Sequence, residues 1–209
     1  VNARSYYEKA TKLAPKATEN WAKYAVSLIH SFEFEEASKV IQKFGELKMP
    51  QSAQDKLQGD LYAKQGRMAE AMVYYQKAMS RDSIDSSVYI AFANALLENK
   101  NFKQAPFFFA LARRFDPLNV ETLLGTARAT AATEGPDRAI ALLQDELSKG
   151  SAGRAELLAG IAELQIQRGE WEAAQSFVTQ AMSVNPNYAF PWKLQAQIFA
   201  NQEHVKKNA

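Results

Sequence analysis

The sequence predicts an all-α protein made of antiparallel helix pairs that stack on one another in chain order. The first observation is a pattern of small and aromatic residues that starts anew at positions 18, 52, 86, 120 and 155, so successive copies lie 34, 34, 34 and 35 residues apart. The second is composition: 47% of the 209 residues are hydrophobic, and only 9 are Gly and 7 are Pro. Such a chain buries a substantial apolar core and is neither disordered nor fibrous.

The clearest copy of the pattern is the stretch 52–85, SAQDKLQGDLYAKQGRMAEAMVYYQKAMSRDSID. Its small residues allow two helices to approach closely, and its aromatic residues fill the space beside them. Gly66 falls between the two predicted helices, where glycine adopts a positive φ at little cost. The positions that carry the pattern are Gly59, Tyr62, Gly66, Met68, Ala71, Tyr75 and Ala78. A helix pair of this size cannot bury its apolar stripe alone, which is why the pairs must stack.

This pattern resembles the tetratricopeptide repeat, a helix–turn–helix unit of about 34 residues. The resemblance covers almost the whole chain and predicts five repeats with a half-repeat at each end. Their expected ranges are 1–17, 18–51, 52–85, 86–119, 120–154, 155–188 and 189–209. The resemblance implies a right-handed α-solenoid (a superhelix), with the first helices of the pairs lining a concave groove and the second helices on the convex face. Because the terminal half-repeats leave stacking surfaces unfinished, we expect a fragment of a longer protein.

Phe44 is a departure from the pattern. It occupies a position where the repeat usually has a small residue. We therefore expect locally wider packing in the repeat 18–51.

The side chains that enzymes use for catalysis are few. Without cysteine, the chain has no disulfide, thiolate metal site or thiol nucleophile. The two histidines, His30 and His204, are far apart, and no glycine-rich phosphate loop, His-x-x-x-His pair or Gly-x-Ser-x-Gly motif is present. We therefore expect a non-catalytic protein with no cofactor or metal. No apolar run reaches the roughly 20 residues of a membrane span, so membrane insertion is not expected. The cysteine-free composition fits the cytoplasm and the periplasm equally well.

The predicted groove is lined by the residues at the inward positions of the first helices. Its expected partner-binding residues are Lys23, Val26, His30, Lys56, Asp60, Lys64, Ile90, Asn94, Leu97 and Arg128. This mixture of apolar and polar side chains suits an amphipathic helix or an extended peptide of a partner protein. Phe107, at an outward position, marks a second candidate surface on the convex face, although a single exposed aromatic residue is also normal.

The leading hypothesis is therefore a scaffold that binds a protein or peptide partner in its groove. The alternative is a structural spacer or assembly module within a larger machine, for instance one for secretion or polysaccharide export in a bacterial envelope. RNA-binding helical repeats share the helix-pair plan, but the net charge is +2 and the groove is near neutral, so nucleic acid is not favoured.

Chaperone docking is the third alternative. Some members of the family hold an acidic C-terminal peptide with an Hsp70/Hsp90-type dicarboxylate clamp, which requires Lys and then Asn at two inward positions of one helix. The residues at these positions are Ala22/Val26, Lys56/Asp60, Ile90/Asn94, Leu124/Arg128 and Ala159/Glu163. None of the five pairs matches, so we expect no clamp of this type.

Overall fold

The computed structural model describes residues 3–81 and 85–208, with side chains described as far as His204. Helices joined by short turns account for this part of the chain, and no strand occurs in it, which confirms the all-α class. The chain forms two compact units, Val1–Asn99 and Lys100–Ala209.

The described residues of each unit form six helices. In the first unit they are α1 (Ala3–Leu13), α2 (Thr18–His30), α3 (Phe34–Gln42), α4 (Gln51–Lys64), α5 (Met68–Met79) and α6 (Ser86–Glu98). In the second unit they are α7 (Ala105–Phe115), α8 (Val120–Glu134), α9 (Pro136–Ser148), α10 (Arg154–Gln167), α11 (Trp171–Val184) and α12 (Ala189–Asn208).

Within each unit, every helix packs against the next one along the chain. In addition, α2 contacts α4 and α4 contacts α6 in the first unit, and α8 contacts α10 and α10 contacts α12 in the second. Among the described residues, no such contact joins α3 to α5 or α9 to α11. The more closely spaced side of each unit, formed by α2, α4 and α6 or by α8, α10 and α12, is called the inner face below.

Local chemistry sets where several helices begin. At the start of α6, the Asp85 carboxylate accepts a hydrogen bond of 2.9 Å from the backbone N–H of Ser87. At the start of α8, the Asn119 side chain accepts one of 3.0 Å from the N–H of Glu121. These side chains satisfy N–H groups that the first turn of a helix leaves without a partner. Pro136 begins α9, where its missing N–H costs little.

The turn between α4 and α5 depends on a glycine. Gly66 has a φ of 76°, in the left-handed region. The N–H of Arg67 donates to the carbonyl of Tyr62 at 2.9 Å and the N–H of Gly66 to that of Ala63 at 3.0 Å, so two carbonyls at the end of α4 are satisfied.

We expect Gly66→Ala to lower the free energy of unfolding by about 1 kcal/mol, because an L-residue in the left-handed region is strained. A Cβ at this position would meet nothing within 4 Å, so the loss comes from the backbone alone. Chemical denaturation measures it. The matched control is Gly45→Ala, where a Cβ also has room and φ is not positive. Equal losses in the two variants would contradict this explanation.

The core of the first unit accommodates Phe44 by an early helix end. Phe44 is fully buried. Because α3 ends at Gln42, Phe44 lies in a turn, where its N–H donates to the carbonyl of Ile41 and its own carbonyl accepts from the N–H of Met49, both at 3.1 Å. The large side chain therefore enters the core from a turn instead of from a helix.

In the second unit, a buried carboxylate joins α7, α9 and the turn after α9. Glu146 accepts hydrogen bonds from the Ser151 hydroxyl at 2.9 Å, from Arg113 at 3.1 Å and from Lys149 at 3.2 Å. Burial by itself would raise the pKa of Glu146, but these three hydrogen bonds outweigh burial and hold the pKa below its usual value.

The pH dependence of stability tests this network. Since the folded pKa of Glu146 is the lower one, the network stabilises the fold above about pH 4.3, the ordinary glutamate pKa, and the stabilisation is lost as the pH falls through the folded pKa. We expect Glu146→Gln to cost about 1 kcal/mol at pH 7, since two partners are half-exposed, and to lose less stability than the wild type between pH 5 and 3. Glu172→Gln, an exposed control on α11, should follow the wild type. Identical pH profiles for wild type and Glu146→Gln would contradict the role of the network.

Candidate functional site

Three of the predicted groove residues lie together on α2. Lys23, Val26 and His30 follow one another at intervals of three and four residues, which places them on one side of the helix. All three are exposed, Val26 by 37%. They line an open cavity of about 450 Å³ between α1 and α2. The other lining residues are Ala3, Arg4, Tyr7, Ala22, Ser27 and Ser31.

This cavity combines apolar walls with cationic groups at its edge. Tyr7 could not be predicted from the inward positions of the first helices, because it lies on α1, which is a second helix. Lys23 is held by an ion pair of 2.6 Å with Glu19, one turn earlier on α2. The arrangement can receive an apolar side chain at Val26 and place polar groups beside Lys23.

The predicted groove residues of α4 are linked to the core. Lys56 donates to Asp60 at 2.8 Å, and the buried Tyr75 hydroxyl donates to the other oxygen of Asp60 at 2.9 Å. Burial raises the pKa of Tyr75, with a further contribution from the charge of Asp60, so the phenol remains a donor. Lys64 is exposed, with its ammonium 5.2 Å from the centre of the Phe32 ring. Lys56 and Asp60 are thus fixed by internal bonds, whereas Lys64 is accessible.

The predicted groove residues of α6 are more buried than the sequence analysis expected. The Ile90 side chain is only 6% exposed, and Asn94 and Leu97 are partly buried. The phase of a repeat gives the direction of a side chain on its helix but not how closely the neighbouring helices approach. Ile90 therefore belongs to the core, and we remove it from the candidate surface.

The remaining two predictions fall in the second unit. Arg128 is exposed on α8 and borders a cavity of about 380 Å³, together with Glu156 and Glu163 of α10. Tyr188 and Phe190, around the start of α12, also border it. Neither could be predicted from the repeat pattern, because both lie where one repeat passes into the next. Phe107 on α7 is 62% exposed and packs edge-on against Phe108, with ring centres 5.2 Å apart.

The described residues contain neither a metal cluster nor a membrane-spanning helix. No group of three or more His, Asp and Glu side chains that could hold a metal ion occurs among them. In that part of the chain, no helix has both the length and the apolar character needed to cross a bilayer.

The fold and these surfaces define a helical-repeat protein with open cavities beside the first helices of its pairs. Two models of the tetratricopeptide repeat match the sequence, one over residues 57–85 and the other over residues 131–198. Residues 57–85 and 131–198 are therefore tetratricopeptide repeats. Members of this family are generally non-catalytic and mediate protein–protein interactions.

Several solved structures have the same fold. Yeast Tom70 matches 98% of the chain with a TM-score of 0.72 and 19% identity, and a chain of the Cut9–Hcn1 hetero-tetramer of the APC/C matches 93% with a TM-score of 0.63 and 16% identity. YrrB, described as having an unusual peptide-binding site, matches 91% with a TM-score of 0.52 and 16% identity.

The fraction of the matched protein's own length that the chain covers differs widely among these structures. The chain spans 43% of the Tom70 chain and 38% of the Cut9–Hcn1 chain, but 97% of YrrB. No curated protein matches the sequence.

Proposed function

We propose that this protein is a non-catalytic scaffold that binds a peptide or helix of a partner protein on the inner face of its first unit. The observation that carries the proposal is the open cavity of about 450 Å³ between α1 and α2, to which α2 contributes Lys23, Val26 and His30. These three residues are the predicted groove residues of that helix, and none of them is needed for the core.

The chemistry of this surface favours an amphipathic partner segment. Val26 offers an accessible apolar contact, and Lys23 and Lys64 provide exposed cations on adjacent inner helices. An apolar side chain of the partner would enter the cavity, and carboxylates on its polar side would lie near the two lysines. The interactions typical of the family, and the peptide-binding site named for YrrB, support the choice of a protein ligand.

Site-specific photo-crosslinking in the full chain tests this function. A benzoylphenylalanine at Val26 should form a covalent adduct with one partner protein in extract of the source cells. The matched control is the same group at Val73 on α5, which is 48% exposed and lies away from the cavity. An adduct at Val73 and none at Val26 would contradict the proposal, and no adduct at either position would favour the role of a spacer.

A further inference from the structure

The cavity of about 380 Å³ in the second unit has an apolar floor and a charged rim. It lies between α8, α9, α10 and the start of α12. The floor is formed by Leu124, Ala127, Leu143, Gly160 and Leu164. The rim is formed by Arg128, Glu156, Glu163, Tyr188 and Phe190. All of these residues belong to the second unit.

The charged groups of this rim form no ion pair within the part of the chain that the structure describes. Arg128, Glu156 and Glu163 form no ion pair there, although both glutamates are partly buried. Elsewhere the protein pairs its buried carboxylates, as in the contacts of Asp55 with Arg81 at 2.6 Å and of Glu146 with Arg113. Glu156 and Glu163 therefore bring two carboxylates without a cation to one cavity, where a ligand cation can pair with either of them.

The rim charges surround one space. Burial raises the pKa of Tyr188. The charges of Glu156 and Glu163 raise this pKa further, and the charge of Arg128 lowers it, so all three charges act on the same hydroxyl. Two carboxylates and one guanidinium leave a net charge of −1 on the rim. A cationic group is therefore favoured over an anionic one.

The geometry of the rim favours a guanidinium. Glu156 and Glu163 are seven residues apart on α10, about two turns or 10 Å along one side of the helix. The rings of Tyr188 and Phe190 border the same cavity, with centres 6.3 Å apart. A guanidinium can bond a carboxylate through two parallel hydrogen bonds while its plane stacks on an aromatic ring, which an ammonium cannot do.

We propose that this cavity binds an arginine side chain of a partner segment, with a neighbouring apolar side chain of that segment on the floor. The arginine pairs with Glu156 or Glu163, and the apolar side chain contacts Leu124. Arg128 repels a second cation and thereby fixes the position of the segment. The proposal rests on the proposed function, because its ligand is a peptide segment, and it adds the chemistry of one binding pocket.

Selection from a random 12-residue peptide library displayed on phage, with the full chain as bait, tests the proposal. We expect the enriched peptides to carry arginine next to a large apolar residue. A synthetic copy of the most enriched peptide is then titrated by fluorescence anisotropy. Replacing its arginine with citrulline, or using the variant Glu156→Gln/Glu163→Gln, should each weaken binding by about tenfold or more. The control variant Glu46→Gln/Glu172→Gln makes the same charge change at exposed sites and should bind like the wild type.

Several results would overturn the proposal. The selection could enrich no peptide, or it could enrich peptides without arginine. A Glu156→Gln/Glu163→Gln variant that is folded, as judged from its melting curve, could also bind the peptide as the wild type does. Acidic peptides whose binding depends on Arg128 would identify an anion site instead. If the partner crosslinked at Val26 is found but the cavity of the second unit selects no arginine peptide, this inference fails and the proposed function stands.

Discussion

Replacing Gly125 with alanine is expected to lower the free energy of unfolding by about 2 kcal/mol, because overpacking a rigid core typically costs about 1–3 kcal/mol. Gly125 on α8 faces the fully buried ring of Phe109 on α7. A Cβ at Gly125 would overlap this ring, with the ring carbon Cε1 only 2.5 Å away. The close approach of these two helices therefore requires glycine at this position. Urea denaturation measures the change.

A double-mutant cycle separates overlap with the ring from other effects of the substitution. In the background of Phe109→Leu, which removes part of the ring, Gly125→Ala should cost less than it does in the wild type. Gly45→Ala, where a Cβ has room, serves as the control for alanine itself. Strictly additive losses for Gly125→Ala and Phe109→Leu would show that the overlap is not the cause.

Val26→Asp is expected to weaken binding of the partner by more than about tenfold, since a contact at the centre of an interface commonly contributes about 2 kcal/mol or more. Val26 lines the cavity on α2, and aspartate would place a charge where we propose an apolar contact. Because Val26 is already 37% exposed, the melting temperature should remain close to that of the wild type. Titration of each variant with the partner that crosslinking identifies measures the affinity.

Val73→Asp is the matched control for this variant. Val73 lies on α5, away from the cavity, and is 48% exposed, so this variant introduces the same change of valine to aspartate at a different surface. It should bind the partner normally. If Val73→Asp lost binding and Val26→Asp retained it, the partner would dock on the second helices instead.

The class of the fold could be predicted from the sequence because its signals are local and repeated. A glycine between two helices, such as Gly66, is recognisable from its neighbours alone, and a recurring period does not depend on distant contacts. The inward residues of α2 could be predicted for the same reason, since Lys23, Val26 and His30 share one side of a helix by their spacing.

The remaining features depend on contacts between distant residues, which a repeat pattern does not predict. Ile90 has an inward position, but its burial is set by how closely other helices approach. Phe44 enters the core because α3 ends at Gln42, a boundary that the period does not give. Tyr75, assigned only a packing role by the sequence, also fixes Asp60 by a hydrogen bond across 15 residues of chain.

Lysine footprinting with and without the partner tests the central claim most directly, because both faces of the first unit carry accessible lysines. Lys23 and Lys64 lie on the inner helices α2 and α4, whereas Lys39 and Lys77 lie on α3 and α5, and all four are exposed. Reductive methylation followed by mass spectrometry should show that the partner protects Lys23 and Lys64 and leaves Lys39 and Lys77 as reactive as in the free protein. Protection of Lys39 and Lys77 with unchanged labelling of Lys23 and Lys64 would contradict binding at the inner face.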